Sequence, residues 1–495
     1  MDQREKRTDL WRELLSVFFV ALLSFLVSLQ ASNHIWRTGN TGVDSSVFQY
    51  VARVIRSGGM PYRDTFDHKG PLLYLINVLG MQAAEWRGIW VLELLAIFVT
   101  FYFMYKLARL CVGRGMSVLL LIISSGPLFV YFEGGNLVEE YAIPFIAVST
   151  YIFADYFLKA KINPLRLIVC GFSFAAILLL RPNMCALWVV MCIGVLVQCI
   201  REKQQKALIP FILYFMAGAL ALLIPVLLWL AVNGAFQAFI DDYILFNALY
   251  SSNDKYATVS RRVESFAFFL DNGSILFPIC GLSYTWYMKR KYFDLLHLAY
   301  LGTALLLICI AGQQFNHYGM ILVPALIYPL ARTAAALKET EWGGQLSALL
   351  VAYLLVSFAS SLWLGGLKDA AAAYDEKDRP HFGTQEQEVV DMVVGYTQPD
   401  DKILVVGNWD IIYNLSNRFA ATKYSYQIPP LSIDLQRAGE FYEEIERSKP
   451  KVIVIPLSMR GRNIYQWTCQ YVLDHDYDQI GVTSDQMVYV FGLTE

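Results

Sequence analysis

The chain has 495 residues, of which 56% are hydrophobic and only 17% charged, with a formal net charge of −2 and a mean hydropathy of +0.42. Soluble domains carry about a quarter charged residues, so this chain cannot cover its apolar surface with polar groups, and lipid must be part of its solvent. The near-zero charge excludes a general nucleic-acid binder, and eight scattered cysteines without a CxxC pair give neither a disulfide framework nor a zinc site.

The first apolar stretch, Leu14 to Leu29, has a basic start and no small-residue cleavage pattern. It reads as a retained first helix, not a removed signal peptide. On the ~20-residue criterion for a span, the sequence predicts about eleven transmembrane helices, centred near Val20, Ile97, Ile123, Ala147, Ala175, Met191, Ala221, Phe277, Leu305, Ala325 and Leu354. Basic groups follow this count. Arg4, Lys6, Arg7 and Arg12 precede the first span; Lys106, Arg109 and Arg114 follow the second; Lys159, Lys161 and Arg166 follow the fourth. Arg201, Lys203 and Lys206 follow the sixth, Lys289 to Lys291 the eighth, and Arg332 with Lys338 the tenth. All fall on one side, which the positive-inside rule makes cytoplasmic.

The other side then carries a first loop over about 32–86, a loop over about 233–265, and the tail from about 366. The tail has a different texture. KILVVG (402–407), KVIVIP (451–456) and QMVYVF (486–491) predict buried strands, and Gln385 to Tyr396 and Leu435 to Ser448 predict helices. Strands alternating with helices make a small α/β domain. The expected organisation is a membrane domain over 1–365 and an extracytoplasmic α/β domain over 366–495. The expected location is a bacterial plasma (inner) membrane, N-terminus cytoplasmic, because an exported domain without paired cysteines suits a bacterial surface.

Residues with chemical potential sit on the outer side. Asp44 opens a helical run from Ser45 to Arg56; it is either a helix N-cap or a base at the membrane edge. The stretch from Pro61 to Pro71 packs Arg63, Asp64, Asp67, His68 and Lys69 between prolines and runs straight into an apolar helix. Lys69 at that depth either binds a lipid phosphate or snorkels as an anchor. Glu133, Glu139 and Glu140 lie between the third and fourth spans, as cavity-facing acids or solvated loop acids; Glu139 and Glu140 are preferred, without a choice between them. Arg181 in Arg181-Pro182-Asn183 is a basic group at an outer turn, suited to phosphate or to an ion pair with an outer acid. His317, in Gln313 to Tyr318, suits phosphate, sugar hydroxyls or a helix cap. Asp241-Asp242-Tyr243 reads as part of an interfacial amphipathic helix. No GxxxxGK[ST] loop is present, which argues against an ATP-driven pump.

The first loop resembles that of the GT-C glycosyltransferase superfamily, nearest the relatives of protein O-mannosyltransferases and of the lipid A aminoarabinose transferase. The residues concerned are Asp44, then Gly58 to Asp64, then Asp67-His68-Lys69-Gly70-Pro71-Leu72, where Gly70 replaces the first proline of the usual Lys-Pro-Pro. Glu139 or Glu140 matches a second acidic position, and His317-Tyr318 with Pro324 a late His-Tyr motif. The resemblance implies a donor of polyprenyl-phosphate monosaccharide and a cell-envelope acceptor that is a glycan, lipid or protein. It implies inverting transfer, with Asp44 as general base and Lys69, Arg181 and His317 on the donor phosphate. The second acid would orient hydroxyls. Some relatives use a divalent cation; here Mg or Mn would be held by Asp44 with Glu139 or Glu140. A transporter or flippase for lipid-linked glycans, or a scaffold, is the alternative; transporters place ionisable groups near the midplane and carry inverted repeats, whereas these charges cluster at one face.

Overall fold

The computed structural model describes residues 3–37, 42–159, 163–252, 258–271, 275–310, 312–377 and 383–494; Lys161, named above, lies outside these. The chain forms two compact units. The first comprises residues 1–34, 90–226 and 254–376; the second comprises 35–89, 227–253 and 377–495. A single cut at 365 therefore differs from this grouping: the first loop and the 227–253 segment belong with the C-terminal α/β segment.

The first unit is helical. Among the described residues, seven helices are long and apolar enough to cross a membrane, and Pro164–Leu180, Ala186–Arg201 and Gly343–Leu354 are shorter apolar helices. The protein is a multi-pass membrane protein. One of the seven runs nominally from Pro71 to Ala108, 38 residues, which as a straight helix would be ~57 Å long, far beyond a ~30 Å hydrocarbon core. It is in fact two helices, because Ala84 and Glu85 have non-helical backbone angles. A Cβ on Gly88 would collide with the carbonyl of Gly80, and one on Gly80 with Ile89, so the chain folds back on itself there and glycine permits the approach. The stretch after the turn matches the span expected around Ile97. Gly343–Leu354 runs on through Leu355–Ala359 into Ser360–Asp375, so the last helix extends past the expected tail boundary at 366.

Lys106, Arg109, Arg114 and Lys159 gather with Asp9 and Glu13 around a cavity of about 590 Å³. Glu139, which begins the helix that ends at Lys159, meets Arg181 instead. All eight cysteines are free.

The second unit is built on a five-stranded sheet: β1 (Lys402–Val405), β2 (Phe419–Ala420), β3 (Val452–Pro456), β4 (Tyr477–Val482) and β5 (Val488–Leu493), in the order β2-β1-β3-β5-β4. β2, β1 and β3 are parallel; β5 and β4 add antiparallel. The expected strands and both expected helices, found at Thr384–Tyr396 and Leu435–Ser448, are present. Every residue of β3 is buried, as expected where helices cover both faces of a parallel sheet. Alternation divides the core. Ile403, Val405, Val452 and Val454 face Val389, Val393 and Tyr413; Leu404, Ile453 and Ile455 face Phe441, Ile445 and Tyr471.

The first loop completes both layers. Tyr50 and Val54 join the first cluster, while Phe66 joins the second together with Phe246. The helix Val43–Arg56 that carries Tyr50 ends at Ser57, with Gly58 at a φ of 90°. Gly59 N–H donates to the Val54 carbonyl and Gly58 N–H to that of Ile55. This is a Schellman stop, and a Cβ on Gly59 would strike the Val54 side chain.

Candidate active site

In the second unit, the helix Val43–Arg56 is capped by Gly42, with no side-chain cap bond, and Asp44 sits inside its first turn. Asp44 is therefore not the N-cap. The helix dipole favours its charge there, it is half-buried, and among the described residues no hydrogen bond or ion pair engages its carboxylate. The C-terminal domain fixes the helix: Asn414 Nδ2 donates to the Ser46 carbonyl at 2.8 Å, Ala420 N–H to the Tyr50 hydroxyl at 2.9 Å, and Arg53 to the Tyr413 carbonyl at 2.6 Å.

The stretch 61–71 is equally determined. The Tyr62 hydroxyl donates to the Lys69 carbonyl at 2.7 Å. The single Tyr74 O–H proton is shared, mainly with Asp67 Oδ2 at 2.8 Å and more weakly with the Lys69 carbonyl at 3.2 Å, and His68 N–H donates to Asp67 Oδ1 at 2.7 Å. Burial raises the Asp67 carboxyl above its ordinary value, with Asp44 adding repulsion while Lys69 and these hydrogen bonds oppose. Lys69 Nζ lies 2.9 Å from His68 Nε2. The Phe66 N–H donates to the Lys423 carbonyl, and the His68 ring stacks on Tyr426 at 5.9 Å.

Arg63 stands apart from this network. It pairs with exposed Asp64 at 2.7 Å and donates to the Asn233 carbonyl, which makes it a tie between two segments. Asp242 is buried and bound by Lys423 at 2.8 Å and Arg437 at 2.5 Å. It is a clamp on the C-terminal domain, while Ile244 and Leu245 of the same segment are exposed.

In the first unit, acids and bases singled out in the sequence pair with one another. Arg181 donates to Glu139 Oε1 at 2.6 Å, and its guanidinium lies 4.2 Å from the Tyr318 ring centre. His317 Nδ1 is 2.5 Å from Glu133 Oε2. Burial works to raise the Glu133 carboxyl, but His317 outweighs it and holds it below its ordinary value. Glu133, Gly134, Gly135 and Asn136 all have positive φ, from 43° to 90°, a run that L-residues avoid. It turns Glu133 toward His317 and delivers the Asn136 N–H to Glu93 Oε1. A Cβ on Gly134 would strike Ser32 and one on Gly135 would strike Glu93, so glycine is required at both. Glu140 is fully buried beside Glu93.

Sequence reading missed Glu93, whose signal was a lone acid inside an apolar span. It also missed Asp410, just beyond the carboxyl end of β1, where α/β sheets hold ligands. Burial pushes the Asp410 carboxyl up to about 7, with Asp67 adding repulsion. As to a metal, among the described residues no three His, Cys, Asp or Glu side chains converge, and Glu139 already carries Arg181.

The sequence matches the family described as the competence-induced protein Ccs4 N-terminal domain over residues 5–342. The chain belongs to that family. Among curated proteins, none matches it. The crystal structure of ArnT from Cupriavidus metallidurans bound to undecaprenyl phosphate is similar with a TM-score of 0.64 at 11% identity, over 97% of this chain and 98% of that one. The archaeal oligosaccharyltransferase AglB from Archaeoglobus fulgidus, in complex with an inhibitory peptide and a dolichol-phosphate, is similar with a TM-score of 0.50 at 12% identity, over 94% of this chain and 70% of that one. The fold of this member of the Ccs4 family is the GT-C fold, helical membrane part and α/β part together.

Proposed function

We propose that the protein is a glycosyltransferase that moves one monosaccharide from a polyprenyl-phosphate carrier to a cell-envelope acceptor on the non-cytoplasmic face of the membrane. The observation that carries this reading is fold similarity over 97% of the chain to a protein holding undecaprenyl phosphate. Asp44 takes the proton from the acceptor hydroxyl. The hydroxyl oxygen bonds to the anomeric carbon as the carbon–phosphate oxygen bond breaks, and the configuration inverts. One base at the attacking face suffices for inversion, and a half-buried carboxylate that no described residue engages suits that base.

Phosphate leaves as an anion, and Lys69 answers its charge where water is scarce. An ammonium has three donors; His68 takes one, and two point elsewhere. Arg181 and His317 are proposed to assist on phosphate, each with an acid behind it. Of the acidic pair, Glu139 is proposed to act through Arg181, while Glu140 orients hydroxyls. No step runs through a metal.

The test is mass spectrometry of envelope glycans from a deletion strain carrying either the wild-type gene or Asp44→Asn at equal membrane abundance. Loss of a general base costs about 10²–10⁴-fold, so one sugar disappears with Asp44→Asn. Unchanged glycans with Asp44→Asn, in a background where deletion alters them, would sink the transferase reading in favour of a transporter or scaffold.

A further inference from the structure

We infer that His68 is a positioning residue for Lys69: a neutral imidazole, protonated on Nδ1, whose Nε2 lone pair holds the Lys69 ammonium without neutralising it. This rests on the reading of Lys69 as the ligand of the donor phosphate.

The tautomer follows from the neighbours. Asn247 Nδ2 donates to two carbonyls, those of His68 and Tyr243, each at 2.7 Å. Both amide hydrogens are thereby used, which fixes the amide and leaves Oδ1 facing His68 Nδ1 at 3.1 Å. An amide oxygen only accepts, so the ring proton is on Nδ1. Nε2 is then a lone pair, and the group 2.9 Å from it is Lys69 Nζ, which donates. A proton on Nε2 would set two cations against each other.

The ring is held in place as well as in protonation state. It is 7% exposed. Tyr426 stacks on it with an interplanar angle of 13°, and Phe246 and Tyr250 stand edge-on at 5.4 and 5.9 Å. These partners come from the 227–253 segment and the C-terminal domain, so three separate stretches of chain aim one lysine. A carboxylate in place of His68 would hold the amine equally well but cancel its charge; imidazole fixes direction and leaves the full positive charge for an anion.

The experiment measures binding of undecaprenyl phosphate to the purified full-length protein in lipid nanodiscs. Lys69→Met should bind at least ~30-fold more weakly and His68→Leu about tenfold more weakly, ~1.4 kcal/mol. His68→Gln should stay within about threefold of wild type, because its amide oxygen accepts from Lys69 where Nε2 did. Should His68→Leu not fold, Asn247→Leu replaces it. That change frees the ring proton to move to Nε2, and several-fold weaker binding is expected. If His68→Leu binds as wild type while Lys69→Met does not, or if His68→Gln is as weak as His68→Leu, the inference is overturned and the phosphate reading of Lys69 survives. If Lys69→Met binds as tightly as wild type, both fall.

Discussion

Lys69 and Arg181 are cations at the ends of helices, and the sequence suggests phosphate binding for both. Their surroundings differ in kind. Arg181 is bound at 2.6 Å to a buried carboxylate, Glu139, and covered by Tyr318. Lys69 is bound at 2.9 Å to a neutral ring, while the nearby carboxylate, Asp67, spends its oxygens on Tyr74 and a backbone N–H. The first arrangement shares its charge with a carboxylate and the second with a neutral ring. An ion pair in a poorly hydrated site is hard to pull apart, since separating the partners strands both. An ammonium held by a lone pair still attracts any anion that comes near.

The sharpest way to break this comparison is to remove Arg181. Arg181→Met strands Glu139 and should cost ~3–5 kcal/mol of stability, read as a lower unfolding temperature of the detergent-solubilised protein. Adding Glu139→Gln should recover most of the loss. A single variant that melts as wild type would show that the pair locks nothing. Lys69→Met breaks no direct ion pair and leaves Asp67 its hydrogen bonds from Tyr74 and the His68 N–H, so it should cost less stability than Arg181→Met. The transfer rate of Lys69→Met should fall ~10²-fold, about 2.7 kcal/mol, and an equal loss of folded protein would blur the distinction drawn here.

Asp410 is a third case, a fully buried carboxyl without an ion-pair partner among the described residues. Burial moves it from 3.8 unfolded to about 7 folded. Between these values the folded state binds the extra proton, so this group's contribution to stability falls as pH rises from about 4 to 7 and is level above. The slope is at most ~1.4 kcal/mol per pH unit. Hydrogen exchange at β1, corrected for intrinsic pH dependence, should show that slope in wild type and lose it in Asp410→Asn. A slope that persists in the variant would assign it to another group, with Asp67 the first to examine.

Much of this molecule was legible in order along the chain. Hydropathy marks helices wherever ~20 apolar residues run together, and short apolar runs bounded by polar residues, Pro or Gly marked β1, β3 and β5. Charge placement put Glu139, Arg181 and His317 on one side, and the structure brings each of them to a partner from a different segment. Asp44 and Lys69 were visible as polar residues at apolar helix entries. Less visible was the doubled-back helix at Gly80 and Gly88, because two apolar helices joined by a two-residue turn read as one continuous run.

Local sequence by itself marked three of the five strands and most of the apolar helices, since periodicity and hydropathy act over a few residues. Only the tertiary structure decided what each charge does. Phe66, Tyr50 and Phe246 lie far in sequence from the sheet whose core they complete. Asp242 finds its counter-ions about two hundred positions away, and His68 takes its tautomer from Asn247. Those choices depend on which polar groups are buried together. A buried donor or acceptor must find its partner wherever the packing puts it, and no local pattern carries that address.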